Sequence, residues 1–413
     1  MKTISSLTSH MKHALALITV IVLAATNSLF ADEVPNLDNP EVLEKILKEA
    51  VRDLEERGSE GGVLSYQKGE AKPYTGWIKK FHVNGNVALL FHYRGGKQDG
   101  PTIVWDEIGQ KKEQQTFKDG NPEGLFTQWY ENGTRKKVGS YKNGIMEGPF
   151  TQWYDSGNEM LKGTYKDGKL EGLTTLRHKN GTKSAEGTHV GGKREGLHYQ
   201  WYDNGKQQQE ATFKGDKLEG VMTQWYENGK KSAEGTYRGG ILDGLLTRWY
   251  ESGTKQAESL YENGKKEGPC SHWHNNGEKA TQHHFMGGKK EGLETQWHNN
   301  RQMSLRTTYK DGKKEGLETR WHDNGQMSLR TTYKDGKLEG LEAGWHKNGK
   351  KEAQNNFKDG EMEGLGNFWY DNGQMKLECT FKDGKPDGLL VEWNEEGEVT
   401  KQALYKDGVK VKE

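Results

Sequence analysis

The sequence has 413 residues, and its 60 lysine and arginine residues balance its 60 aspartate and glutamate residues. Nucleic-acid-binding proteins normally carry an excess of basic residues, so this balance argues against a nucleic acid as partner. Only 31% of the residues are hydrophobic and mean hydropathy is −1.04, which alone would indicate disorder. However, 10% of the residues are aromatic and 55 are glycine, a combination that predicts short aromatic strands separated by turns.

Residues 1–31 have the pattern of a signal peptide. Lys2 and Lys12 precede an apolar run over residues 14–25, which is shorter than the ~20 residues that span a bilayer. Ala25 and Ala31 are both candidate cleavage positions, and an uncleaved membrane anchor is the alternative interpretation. The sequence therefore predicts an exported protein that is periplasmic, attached to the cell surface, or secreted.

Residues 32–75 form a short N-terminal segment with helical character. Asp38 or Asn39 can cap a helix that has Pro40 at its first position, and Gly58 is the predicted stop. Apolar residues recur on one helical face between positions 42 and 54. We expect this helix to cover the open end of the structure that follows; the alternative is a helix that binds a partner.

A strict repeat of 24 residues dominates the remainder, residues 76–413. One position of the repeat is usually tryptophan. Phe81 replaces this tryptophan in the first unit, and Arg177 replaces it in a later unit. In the other units this position is tryptophan, at residues 105, 129, 153, 201, 225, 249, 273, 297, 321, 345, 369 and 393. This spacing predicts an array of about 14 units without insertion or deletion.

Each unit contains two segments of strand length between two turn signals. One turn is of the type Asn228-Gly229, which predicts a type I′ hairpin turn, and the other is of the type Lys166-Asp-Gly-Lys169. A single hairpin buries too little to fold alone, so its stability must come from its neighbours. The predicted fold class is therefore all-β: an elongated, twisted, single-layer antiparallel sheet of tandem hairpins with a short N-terminal helix.

The alternation of side chains along a strand assigns two faces to this sheet. Leu125, Thr127 and Trp129 lie on one face, and the recurrence of Leu, Thr, Trp and Tyr predicts one continuous aromatic and aliphatic stripe. The opposite face changes from apolar to acidic along the chain. Its residues are Phe126, Phe150, Met222 and Leu246 early in the array and Glu294, Glu318 and Glu342 later.

The aromatic and apolar positions of the early repeats are the candidate partner-binding face. Packing between neighbouring hairpins is the alternative role, and closure of two such faces in a dimer is a third, because large exposed apolar patches mark interfaces. The candidate residues are Trp105, Trp129, Trp153, Phe126, Phe150, Met222 and Leu246.

No motif predicts catalysis, a cofactor or a metal site. Repeated glutamates in an open sheet have no unique environment in which a carboxyl group could act as an acid or base. The histidines at 274, 298, 322 and 346 replace tyrosine and are expected ~10 Å apart, too far to share one metal ion. His283 and His284 are adjacent and should point to opposite faces. Cys270 and Cys379 lie more than four repeats apart and are expected to be isolated, unbridged side chains.

The repeat resembles the MORN-repeat-variant family of bacterial proteins over about four fifths of the chain. Glu147-Gly148 with Trp153-Tyr154 carries the pattern, as does Glu363-Gly364 with Trp369-Tyr370. Three places depart from the pattern. Asn300-Arg301 replaces Asn-Gly in one turn, Gly215-Asp216 inverts the Asp-Gly of another turn, and Arg177 replaces the tryptophan. The resemblance implies an elongated twisted sheet used for assembly, protein contact or membrane association, and many members are described as antitoxin-like. It implies no catalytic residue.

The sequence thus favours an exported, non-enzymatic scaffold that binds an unknown protein partner or associates with itself. An envelope glycan and a membrane surface remain alternative partners, and an antitoxin-like role is a further alternative. A lipid headgroup would favour a net positive patch, which the neighbouring acidic residues cancel.

Overall fold

The computed structural model describes residues 35–59 and 62–412. The predicted signal peptide, residues 1–31, lies outside the described residues together with its cleavage positions. The described chain contains one helix, a two-stranded hairpin and an antiparallel sheet of 34 strands. The predicted all-β class with a single-layer sheet of tandem hairpins is confirmed. Within the described residues, no helix has the length and apolar character needed to cross a membrane.

The helix is α1 (Pro40–Glu49), and 36 strands follow it in the described chain. The first twelve strands are β1 (Glu55–Ser59), β2 (Gly62–Tyr66), β3 (Gly76–Phe81), β4 (Val87–Arg94), β5 (Lys97–Trp105), β6 (Lys111–Lys118), β7 (Asn121–Trp129), β8 (Arg135–Lys142), β9 (Ile145–Met146), β10 (Gly148–Trp153), β11 (Glu159–Lys166) and β12 (Lys169–Leu170). The next twelve are β13 (Gly172–Arg177), β14 (Lys183–Val190), β15 (Lys193–Trp201), β16 (Gln207–Lys214), β17 (Lys217–Trp225), β18 (Lys231–Arg238), β19 (Ile241–Trp249), β20 (Lys255–Glu262), β21 (Lys265–Trp273), β22 (Lys279–Met286), β23 (Lys289–Trp297) and β24 (Met303–Lys310). The last twelve are β25 (Lys313–Lys314), β26 (Gly316–Trp321), β27 (Met327–Lys334), β28 (Lys337–Leu338), β29 (Gly340–Trp345), β30 (Lys351–Lys358), β31 (Glu361–Met362), β32 (Gly364–Trp369), β33 (Met375–Lys382), β34 (Lys385–Trp393), β35 (Val399–Lys406) and β36 (Val409–Lys410).

The chain divides into two compact units, the first ending at Lys169 and the second beginning at Leu170. In the first unit, α1 packs on the hairpins that follow it. The buried core of this contact consists of Leu37, Ile46, Ala50, Leu90, Ile103 and Trp105. The second unit consists of hairpins, and its core is distributed along the repeats.

Helix α1 begins as predicted and ends earlier than predicted. The Asn39 side chain accepts a hydrogen bond of 3.0 Å from the backbone N–H of Glu41, and Pro40 occupies the first turn. The predicted stop at Gly58 is wrong, because the helix ends at Glu49. Val51 already pairs in parallel with Ile78, which places it alongside the sheet and prevents the helix from continuing.

The two turns of each repeat differ in conformation from the prediction. At Asn228-Gly229, only the glycine has a positive φ, and the Gly229 N–H donates to the Tyr226 carbonyl. This is a type I turn closed by a glycine, and the register of the strands shifts between Gln224 and Trp225. The predicted type I′ turn at Asn-Gly is therefore wrong. At Asp167-Gly168, both residues have positive φ, as a type I′ turn requires.

The register of the hairpins also reassigns the tyrosines. Phe126 lies opposite Gly139, and Tyr141 follows two residues later, so all three lie on one face. The rings of Phe126 and Tyr141 are in contact, with centroids 5.1 Å apart. The predicted stripe of Leu, Thr, Trp and Tyr is therefore wrong with respect to tyrosine. We call the face of Phe126, Gly139 and Tyr141 the ladder face, and the face of Leu125, Thr127 and Trp129 the tryptophan face; both names include the matching positions of other repeats.

Candidate binding surfaces

The polar residues that recur in each repeat tie one hairpin to the next. Glu219 accepts a hydrogen bond of 2.8 Å from the backbone N–H of Gly239, which lies 20 residues further on. The Asn228 amide donates to the carbonyl of Glu251, and the Tyr226 hydroxyl donates to the carbonyl of Trp249 at 2.7 Å. Because equivalent bonds recur along both units, these glutamate, asparagine and tyrosine side chains have a structural role in the repeat.

The histidines that replace tyrosine make the same connection. The Nε2 atoms of His274, His298, His322 and His346 lie 2.8–3.0 Å from the tryptophan carbonyl of the following repeat. The imidazole therefore substitutes for the phenol as a hydrogen-bonding group. Each of these rings is half-buried and bonded, so the histidines have the same structural role as the tyrosines they replace.

Helix α1 covers the beginning of the tryptophan face. It packs on Leu90 and Ile103, which face each other across β4 and β5, and it buries Trp105. In the next hairpin, the matching positions are polar, Gln114 and Thr127. The apolar contact that holds the helix therefore exists at the first hairpins and is lost one repeat later.

Lysine side chains cover several of the tryptophans further along. The Lys231 ammonium lies 5.8 Å from the centroid of the Trp249 ring, and Lys255 lies 5.2 Å from that of Trp273. Equivalent pairs occur at Trp201, Trp297 and Trp369. The aliphatic part of each lysine shields an aromatic ring from water while its charge remains solvated. These rings are therefore half-buried, and their faces are not fully accessible to a partner.

The seven residues predicted as a partner-binding face lie on two opposite faces of their hairpins. Trp105, Trp129 and Trp153 are on the tryptophan face, where the first is buried and the other two are half-buried. The other four are on the ladder face. Phe126 and Phe150 are buried there, with ring centroids 6.5 Å apart, while Met222 and Leu246 are half-buried.

A row of exposed aliphatic side chains runs along the tryptophan face of the second unit. It uses the residue that follows the Glu-Gly or Asp-Gly pair in most repeats, and we call it the leucine row. Its members are 46–59% exposed. They are Leu173, Leu197, Val221, Leu245, Leu293, Leu317, Leu341, Leu365 and Leu389. The Glu-Gly-Leu element was visible in the sequence, but the exposure of the leucine depends on which face is covered.

The ladder face of the second unit contains a buried polar tract. Glu318 is fully buried, and its carboxylate lies 2.5 Å from the Lys314 ammonium and 2.8 Å from the Arg320 guanidinium. The buried members of the tract are Ser259, Cys270, His283, Glu294, Thr307, Glu318, Thr331 and Asn355. The same face carries phenylalanine in the first unit, so buried charge replaces buried aromatic rings.

The pKa values of two carboxyl groups on this face are shifted in opposite directions. Burial alone would raise the pKa of Glu294, but hydrogen bonds from Lys290 and Gln296 hold that pKa below its usual value. Burial raises the pKa of Glu342 above its usual value. Burial and the nearby carboxylates raise the pKa of Tyr309 to about 12.

Cys270 lies in a cluster of groups that can bind a metal. It pairs with His283 across β21 and β22, and His272 lies two residues beyond it on the same face. One ligand atom from each side chain can be chosen so that all three lie within 4.8 Å of one another. The prediction that Cys270 and Cys379 form no disulfide is confirmed, because both thiols are free, but Cys270 lies beside two imidazole groups. The three residues follow no metal-binding spacing in the sequence, and only the strand register brings them together.

The comparison with family models agrees with this repeat geometry. The model described as MORN repeat variant matches six segments of the chain, residues 122–143, 194–214, 218–238, 242–263, 314–335 and 362–383. The chain belongs to this MORN-repeat family. Its MORN repeats and their all-β repeat fold fit a scaffold for binding.

Other comparisons add little to the MORN assignment. No curated protein matches the chain. The crystal structure of TcdB2–TccC3 is 12% identical with a TM-score of 0.15, covering 84% of this chain and 21% of the other. A structure of the Photorhabdus luminescens Tc holotoxin pore is 10% identical with a TM-score of 0.16, covering 81% of this chain and 18% of the other. The chain thus spans about a fifth of these proteins, and the scores are too low to assign a function.

Proposed function

We propose that the chain is an exported, non-enzymatic scaffold that binds a protein partner, or a second copy of itself, through the leucine row of its second unit. The observation that carries this proposal is the exposure of an aliphatic side chain at the same position of most repeats in the second unit. Contiguous exposed apolar surface is uncommon on a folded protein and marks sites of interaction. The proposed site therefore lies on the repeat surface itself.

The spacing of the row suits an extended protein surface. Two strands per repeat, each ~4.8 Å wide, place successive members ~10 Å apart. The residues opposite them include Thr236, Leu260 and Thr308, which add methyl groups between the leucines. Burial of apolar surface stabilises a complex by about 25 cal/mol per Å², so several half-exposed side chains bound together make a substantial contribution.

The alternatives receive less support from the surface. An envelope glycan would stack on exposed aromatic ring faces, whereas lysines such as Lys231 and Lys255 lie over the tryptophan rings. A membrane surface rich in anionic lipid would favour a net positive patch, while the chain as a whole has no net charge. An antitoxin-like role against a cytoplasmic toxin is incompatible with export.

The proposal can be tested with a triple variant of the row, Leu293→Ser, Leu317→Ser and Leu341→Ser. The full chain is exported from a bacterial host, purified, and measured by light scattering and by cross-linking in the envelope. We expect the wild-type chain to form a dimer or a cross-linked complex that the triple variant loses. Mass spectrometry of the exported chain tests export separately, because cleavage after Ala25 or Ala31 would be read directly.

A matched control uses apolar residues that are exposed outside the row. Val83→Ser and Ile108→Ser remove side chains from turns of the first unit, and both residues are at least as exposed as the leucines. This control should retain the complex. If the row variant binds as well as the wild type while its circular dichroism is unchanged, the leucine row is not the interface.

A further inference from the structure

The hairpin of β21 and β22 contains the one group of thiol and imidazole ligands with metal-binding geometry among the described residues. We propose that Cys270, His272 and His283 form a binding site for a single Zn²⁺ ion. The site lies on the ladder face, opposite to the leucine row, so this proposal is independent of the partner-binding surface.

The burial and bonding of the imidazoles favour this site. Cys270 is 1% exposed and His283 is 9% exposed, whereas His272 is half-buried and leaves a path to solvent. The Nδ1 atom of His283 is buried and has no hydrogen-bond partner among the described residues. A buried polar nitrogen without a partner is unfavourable, and a bound metal ion would satisfy it.

The neighbouring hydroxyl groups are placed to orient the ligands. The Nδ1 atom of His272 lies 2.9 Å from the Thr281 hydroxyl, so that this nitrogen can donate and leave Nε2 free for the metal. The Ser259 hydroxyl lies 2.9 Å from the Cys270 sulfur and can donate to the thiolate. Metal-binding imidazole and thiolate groups are normally fixed by such outer hydrogen bonds.

The ligand set agrees with the chemistry of zinc. Zinc prefers cysteine thiolate and histidine imidazole in tetrahedral sites, with a water molecule as fourth ligand where the protein supplies three. Without metal, the three ligand atoms already lie within 4.8 Å of one another. Zn²⁺ would hold them closer together, because its bonds to these ligands are ~2.0–2.3 Å long.

Two lysines set the electrostatic conditions of the site. Lys266 and Lys290 are positively charged side chains that act on both imidazole groups. Lys290 forms an ion pair with the buried carboxylate of Glu294, which offsets its charge. Lys266 lies over the Phe285 ring, 5.1 Å from its centroid. We therefore expect Lys266 to repel the bound ion.

The test uses the full chain without a histidine tag, freed of metal by a chelator and titrated with Zn²⁺ and with Co²⁺. We expect one equivalent of Zn²⁺ to bind, and the Co²⁺ form to show the charge-transfer absorption of a thiolate ligand. Cys270→Ser should weaken Zn²⁺ binding by about 100-fold or more and abolish that absorption. Zn²⁺ should also protect Cys270 of the wild-type chain from alkylation, which is a measurement that needs no variant.

The chain supplies matched controls. Cys379→Ser removes the other free, buried thiol, and His284→Asn removes the exposed imidazole adjacent to His283; both variants should bind Zn²⁺ normally. Lys266→Gln should tighten binding roughly threefold or more, because a positive charge is removed, and misfolding cannot produce such a gain. Absence of Zn²⁺ binding, or an equal loss of binding in Cys379→Ser, would overturn the assignment.

Discussion

Phe126 lies directly opposite Gly139 in the pairing of β7 and β8, and its ring occupies the space that a side chain at 139 would need. A Cβ atom at position 139 would lie 2.7 Å from the Phe126 ring and 3.0 Å from the ring of Phe150. The same alternation of large and small residues recurs at Phe150 with Gly163 and at Met222 with Gly235. The ladder face is therefore packed by pairs of positions rather than by single residues.

The pairing of Phe126 with Gly139 predicts that Gly139→Ala is destabilising. The added methyl group must displace two buried rings, and overpacking of this kind costs about 1–3 kcal/mol. Chemical denaturation of the full chain measures the change in the free energy of unfolding. Gly344→Ala is the control, because a Cβ atom there would meet its neighbours at ordinary distances of 3.6–3.8 Å. Equal effects of the two substitutions would contradict this account of the packing.

Arg301 predicts a substitution that stabilises the protein. It occupies a turn position that other repeats give to glycine, and its φ is 71°. A residue with a Cβ atom pays roughly 1–2 kcal/mol in this left-handed conformation. Arg301→Gly should therefore raise the midpoint of thermal unfolding, although it removes an exposed ion pair of 2.7 Å with Glu278. Arg301→Ala removes the same ion pair but keeps the strain, so an equal gain in both variants would argue against strain as the cause.

The 24-residue period was sufficient to predict the hairpins and the fold class, because tryptophan and the turn glycines recur at a constant spacing in most units. The faces were harder to predict. The strand alternation placed Phe126 correctly opposite to Trp129, but the position of Tyr141 depends on the partner strand, whose register is not encoded by alternation alone. The same limitation explains the turn at Asn228-Gly229, where a shift of register changes the turn type.

The sequence predicted the acidic character of the ladder face but not its burial. The alternation of their strands suggests that Glu294 and Glu318 are surface residues, yet both are buried, and basic side chains nearby in the sequence pair with them. The cluster of Cys270 and the two histidines was missed for a related reason. Its members come from two strands, and only the register of these strands shows that they lie side by side.

Tyr226 allows the contact between neighbouring repeats to be measured. Its hydroxyl donates to the carbonyl of Trp249, and Tyr226→Phe should lower the free energy of unfolding by about 1 kcal/mol, the usual contribution of one hydrogen bond. Tyr226→His should recover most of this loss, because His274 makes the equivalent bond in its own repeat at 3.0 Å. A histidine variant as unstable as the phenylalanine variant would contradict the proposed equivalence of the two groups.

Glu318 predicts how the buried polar tract tolerates substitution. Glu318→Gln keeps the shape of the side chain but removes the charge that pairs with Lys314 and Arg320. Loss of hydrogen bonds to a charged group costs about 1.5–3 kcal/mol. Arg320 is exposed and Lys314 partly so, which places the expected loss at the lower end. Urea denaturation of the wild type and of Glu318→Gln measures this loss in the free energy of unfolding.

The first unit suggests a compensated replacement for the same position. Thr331 lies opposite Glu318 as Gly139 lies opposite Phe126, so the double variant Glu318→Phe with Thr331→Gly transfers the aromatic pairing to the second unit. Buried ion pairs are often replaced by well-packed apolar residues without loss of stability. We therefore expect the double variant to be more stable than Glu318→Phe alone. Additive effects of the two substitutions would show that the pairing is not transferable.

Glu342 predicts a pH-dependent contribution to stability. Burial and the nearby carboxylate of Glu318 raise its pKa, although the Thr331 hydroxyl and Arg320 act in the opposite direction. A raised pKa means that the folded protein favours the protonated form, so ionisation of Glu342 costs stability as the pH rises through that pKa. Glu342→Gln should therefore raise the free energy of unfolding at neutral pH. This gain should diminish on acidification and disappear below the usual value of 4.5, where the carboxyl group is neutral in both states. Glu352→Gln, an exposed carboxylate on the adjacent strand, should show no such gain, and a pH-independent effect of Glu342→Gln would mean that packing rather than charge is responsible.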